Sequence, residues 1–133
     1  GYHAEHTISI FMHGSDGMRR MQDLMASLRK QAPEKLAGRP IEQLRDYKNN
    51  RIVKASGDTQ ALAGPTGDLV IFDFDSNGNQ IAIRPSGTEP KVKFYMFFYQ
   101  PGTTADNIAD AEKAAEDFFA GAEKDLRQIA DQI

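Results

Sequence analysis

The chain of 133 residues contains no cysteine. Disulfides and thiolate metal sites are therefore excluded, which fits a cytoplasmic location. Long apolar runs are missing as well. No stretch approaches the ~20 apolar residues of a membrane span, and no signal peptide is visible, so no membrane partner is expected. A surplus of positive charge is also lacking. Sixteen Lys and Arg stand against 19 Asp and Glu, for a net charge of −3. That balance argues against a nucleic-acid partner. Internal repeats and low-complexity tracts are absent. The length fits one domain, able to bury roughly two-thirds of its unfolded surface without covalent staples.

What is present is unevenly placed. Arg84, Lys91 and Lys93 cluster in sequence, whereas acidic residues dominate the C-terminal stretch. A small anion at a local basic site is the expected partner. The cluster brackets the segment Arg-Pro-Ser-Gly-Thr-Glu-Pro from Arg84 to Pro90. Strand-like runs, 80–84 and 91–99, lead in and out of it. Pro85 and Pro90 fix φ and restrict their neighbours. Gly87 permits positive φ and leaves room for an anion to approach the backbone. Ser86 and Thr88 bring hydroxyl donors, and Arg84 a planar donor fork suited to phosphate oxygens. Successive loop N–H groups can converge into an anion-binding nest. The lysine and spacing of a nucleotide P-loop are not there. Taken alone, a Ser-Gly-Thr stretch is also an ordinary turn.

The whole segment closely resembles the signature of the α-D-phosphohexomutases, the family of phosphoglucomutases and phosphomannomutases. There an Arg-x-Ser-Gly-Thr-Glu-Pro loop of the C-terminal domain grips the substrate phosphate. The resemblance implies that Arg84, Ser86, Gly87 and Thr88 contact phosphate. It further implies that Lys93 fills the place of a basic residue on the following strand, where the family often has arginine. A phosphorylated hexose and the other domains of a parent enzyme are the implied partners. The family's nucleophilic serine, Asp-x-Asp-x-Asp metal loop and sugar-reading Gly-Glu-x-Ser-Gly loop are not in this sequence. The resemblance therefore implies no cofactor in this chain, magnesium in the parent, and an inactive isolated domain.

In chain order, residues 1–6 read as the remnant of an interdomain linker, and residues 1–14 as a hinge containing a short strand at 7–12. His3 and His6, three apart, could suit a metal on a helix, but no third ligand is near. Ser15 or Asp16 caps a helix to about Gln31, with Met18, Met21, Leu24, Met25 and Leu28 on one apolar face. Ile41–Tyr47 reads as an edge strand and 48–67 as one long loop. Asp68–Asp75 reads as a strand, turned back at Asn77-Gly78. Asp73 and Asp75 would share a strand face, where paired carboxylates could bind magnesium or act as acid and base. A final helix runs from a cap at Thr103 or Thr104 to about Asp131. Its stripe is Ile108, Ala111, Ala115, Phe118, Ala122, Leu126, Ile129 and Ile133.

The fold expected is α+β. One antiparallel sheet of about four strands carries two main helices on one face, with residues 15–133 as the phosphate-binding domain. The resemblance implies the same layout, akin to that of the TATA-box-binding protein. A standalone module for phosphorylated ligands, or a structural domain using its helical face for partners, are the alternatives. Which hexose would be bound is not readable from this chain.

Overall fold

The computed structural model describes residues 1–133. Its centre is the strand β9, Lys91–Gln100, whose residues alternate between a buried and a half-buried face along its whole length. Val92, Phe94, Met96 and Phe98 point to one side, and Lys91, Lys93, Tyr95, Phe97 and Tyr99 to the other, as strand geometry requires. The first set is almost fully removed from water. It meets both helices, α1 (Gly17–Lys30) and α2 (Ile108–Asp131).

Strand β1 (Tyr2–Phe11) pairs antiparallel with β9 over its full length. On the other side β9 pairs with β8 (Gln80–Pro85), and β8 with β7 (Val70–Asp73). The sheet continues through β4 (Gln43–Asp46), β5 (Arg51–Lys54) and β6 (Thr59–Ala61), giving seven strands in the order β1-β9-β8-β7-β4-β5-β6. A separate hairpin of β2 (Lys35–Leu36) and β3 (Arg39–Pro40) packs under α2. It turns through Ala37 and Gly38 at positive φ. The class is the expected α+β, with more strands than the four expected.

Three segments depart from the sequence reading. Residues 2–6 are sheet, not linker: β1 begins at Tyr2. Ile41–Tyr47 contains an interior strand, since β4 is flanked by β5 and β7. The segment 48–67 folds back as the β5–β6 hairpin, with Gly57 at φ +95° in its turn. All three are polar or exposed over much of their length, so backbone pairing carries them without a clear apolar alternation.

The helices bury most of what their spacing predicts, but Ile108, expected on the stripe of α2, is 42% exposed. In α1 the buried set is Gly17, Met21, Leu24, Met25, Leu28 and Arg29, while Met18 stays 46% exposed. In α2 it is Ala111, Ala115, Phe118, Ala122, Leu126 and Ala130. The small residues let α2 lie close: a Cβ on Gly121 would stand 3.0 Å from the Cβ of Ala37. One core cluster holds residues of the sheet and both helices, so the helices share a face. The other face of the sheet is uncovered, as an antiparallel sheet allows.

Buried charge ties the far end of α1 to the sheet. Arg29 pairs with Asp68, and its Nε lies 3.3 Å from Oδ1 of Asp46, off the line a hydrogen bond needs. Asp46 is fully buried. It accepts from the backbone N–H of Lys48 and Asn49 and from the Asn49 side chain.

Candidate functional site

The segment 85–90 joins β8 to β9 as a tight connection held from three directions. The Ser86 N–H donates to the Lys91 carbonyl at 2.9 Å, closing the hairpin. The Met12 N–H donates to the Pro90 carbonyl at 2.7 Å. Gly17, at the start of α1, lies against Pro90, and a Cβ there would be 2.2 Å from the Met12 carbonyl oxygen. Only glycine lets the helix start this close to the loop.

Within the loop, the Ser86 Oγ accepts from the N–H of Glu89 at 3.2 Å and of Thr88 at 3.4 Å. Those amides are spent on the serine, so the loop is not an open nest of N–H groups. The consequence falls on Ser86. An oxygen accepting two N–H bonds is polarised to donate its own proton outward. Gly87 lies between, exposed, with no atom within 4 Å of where a Cβ would be. Its φ is not positive, unlike that of Gly78 in the preceding turn. Gly87 therefore serves by leaving the approach open, not by adopting a left-handed backbone.

The register of β8 and β9 places Arg84 directly opposite Lys93. With Pro85, Ser86, Gly87 and Tyr95 they line a cup of about 280 Å³ on the uncovered face of the sheet. Four of the five residues expected at a site are thus brought together. Thr88 does not line this cup. It is exposed beyond Gly87, and its amide orients Ser86. Lys91, one alternation away, is occupied with Glu89 at 3.4 Å and with the face of Phe11. Arg84 and Lys93 take no part in any ion pair of the chain. Opposed like charges cost roughly 0.2–1 kcal/mol in a cross-strand pair, so an anion between them removes a repulsion as well as gaining contacts.

No family model matches the chain. Curated phosphoglucomutases do. The chain is 29% identical to that of Staphylococcus aureus (strain MRSA252) over 97 residues, 72% of this chain and 17% of the relative. With the phosphoglucomutase of Staphylococcus haemolyticus (strain JCSC1435) it shares 28% over 120 residues, 90% of this chain and 20% of the relative. With that of Staphylococcus saprophyticus it shares 32% over 97 residues. The chain is a partial homologue of the phosphoglucomutases, matching their C-terminal domain. It spans only 17–20% of the length of these relatives.

The remaining candidate groups of this phosphoglucomutase-like domain have other duties. Asp73 accepts from both Nε and Nη2 of Arg45, at 2.8 and 3.0 Å, and from Gln43. Burial works to lower the Arg45 pKa, but the hydrogen bonds and charge of Asp73, with help from Tyr47, leave it above its ordinary value. Asp75 is not on the strand with Asp73. It leaves the sheet and accepts from the N–H of Asn77 and Asn79 and from the Asn79 side chain. His3 and His6 fall on opposite faces of β1, against Tyr99 and Phe119 respectively. No three His, Asp or Glu side chains converge, and Asp73 and Asp75 are each engaged by partners of their own. No helix is long and apolar enough to cross a membrane.

Proposed function

We propose that this chain is the phosphate-holding domain of a phosphohexomutase, an intramolecular phosphotransferase working through a bisphosphorylated hexose. The observation that carries the reading is the pair of unpartnered cations, Arg84 and Lys93, opposed across a cup that also holds the Ser86 hydroxyl and Gly87. The homology with phosphoglucomutases supports the same reading. The Arg84 fork and the Lys93 charge bind phosphate oxygens, and the Ser86 hydroxyl and Gly87 N–H donate to them. None of these groups needs to transfer a proton. Their work is orientation of a sugar whose other end reacts, and neutralisation of charge. The phosphoserine and magnesium of the family then belong to other domains of a parent enzyme, and the isolated chain turns nothing over.

The direct test is a titration of the chain with inorganic phosphate, followed by NMR. A few charge-assisted hydrogen bonds, less the cost of association, give a dissociation constant of about 1 mM. The expected result is saturable movement of the Gly87 amide and its neighbours. Shifts elsewhere with residues 86–89 still would reject the site.

Lys93 offers a point charge where arginine offers a fork. Lys93→Met is expected to weaken phosphate binding by about 1 kcal/mol, less than loss of Arg84, and Lys93→Arg to keep or improve it. Calorimetry on the three proteins checks the order. Unchanged affinity in Lys93→Met would leave it as surface charge.

A further inference from the structure

The cup has one wall that phosphate alone does not use. Tyr95 is its only aromatic lining residue, half-buried, two positions along β9 from Lys93 and so ~6.6 Å further on. Its cross-strand neighbours are Thr7 on β1 and Ala82 on β8. Both are small, so nothing bulky on the adjacent strands hides the ring. Larger groups, Glu5, Phe97 and Gln80, stand one alternation beyond. The result is a shallow apolar step beside an anion cup, with Glu5, Gln80 and the ring of Phe97 at its far edge.

Building on the phosphate reading above, we infer that Tyr95 is a sugar-contacting residue that packs against the ring attached to the held phosphate. A pyranose carries polar hydroxyls at its rim and C–H groups on its faces. The C–H face suits an aromatic surface, whose π-system is electron-rich. A phosphate gripped by Arg84 and Lys93 leaves its ester oxygen to point out of the cup. One way out passes over Tyr95. The other passes Arg84 into a cleft of about 360 Å³ lined by Tyr47 and residues 65–69. That second route brings the ring to the carboxylate of Asp68, already engaged with Arg29, and to Tyr47, whose hydroxyl is held by Arg45 outside the phosphate cup.

The experiment compares inorganic phosphate with glucose 6-phosphate on the chain and on Tyr95→Ala, Tyr95→Leu and Tyr95→Phe, by NMR titration. The chain is expected to prefer the sugar phosphate. Tyr95→Ala and Tyr95→Leu should lose roughly three- to tenfold in affinity for glucose 6-phosphate and nothing for inorganic phosphate. Tyr95→Phe should keep the preference, because it keeps the ring. Tyr95→Leu guards against a merely unfolded alanine variant. An equal sugar preference in all four proteins would overturn the inference. So would sugar-specific shifts confined to residues 65–69. Failure of inorganic phosphate to bind the parent chain would overturn the underlying phosphate reading as well, and is distinguishable from both.

Discussion

Asp46→Ala is expected to cost about 3–5 kcal/mol, the usual penalty for breaking a buried ion pair and stranding its partner. Asp46 is wholly buried. Its carboxylate faces Arg29 and also holds the turn at Lys48 and Asn49. Removing it leaves the buried guanidinium of Arg29 with Asp68 alone and frees two backbone amides. A domain of this size is stable by only 5–15 kcal/mol, so the loss is a large fraction of the whole. The melting temperature should fall by roughly 10–20 °C. The pH dependence follows from the same group. Burial pushes the Asp46 pKa up, but hydrogen bonds from the Asn49 side chain and backbone and from Lys48, with the Arg29 charge, hold it below the ordinary carboxylate value. A depressed folded pKa stabilises above the unfolded value, and the gain is lost as pH falls through the folded one. Stability of the chain should therefore drop on acidification below about pH 4, with a flatter profile in Asp46→Asn. Denaturant melts across pH check both. Parallel profiles would mean that Asp46 does not titrate in this way. The double variant Arg29→Met with Asp46→Ala should cost less than the two single losses together, because neither charge is then stranded.

Nothing in the sequence announced this cluster. Arg29 sits on the apolar face of α1 beside Leu28 and one turn from Met25, and its partners are far along the chain. A buried charge is legible only when its partner is local, and Asp46 and Asp68 are not. The same limit hid the outer strands. Arg51–Lys54 is at most half-buried and Thr59–Ala61 is exposed, so they lack the alternation that marked β9, and their strand state comes from pairing, β5 with β4 and β6 with β5. The cup was readable for the opposite reason. Arg84, Ser86 and Gly87 are contiguous, and a single hairpin register brings Lys93 opposite Arg84. Alternation in β9 also put Lys93 and Tyr95 on the loop's side of the sheet, as the apolar set Val92, Phe94 and Met96 required. What residue types could not show was the hydrogen-bond economy of the loop. Ser86 spends the amides of Thr88 and Glu89, which turns an expected nest of N–H groups into a single oriented hydroxyl.

Arg84→Ala should then separate function from stability. The side chain is exposed, and no carboxylate of the chain pairs with it. Its loss removes a bidentate phosphate contact of ~2–3 kcal/mol, a charge-assisted bond that water replaces poorly. In a full-length parent, kcat/KM for a hexose phosphate should fall by roughly 30- to 150-fold. In the 133-residue chain, inorganic phosphate should no longer bind in the accessible concentration range. The melting temperature should stay within about 2 °C, as expected for an exposed residue without structural partners. It could even rise slightly, since Lys93 loses a like-charged neighbour across the strand pair. Arg84→Lys sharpens the result. It restores charge but not the planar fork, so it should recover only part of the binding. Full recovery would show that the cup reads charge alone. A large fall in melting temperature with normal kinetics would assign Arg84 to the fold, through the neighbouring cleft of Tyr47 and residues 65–69, rather than to the ligand.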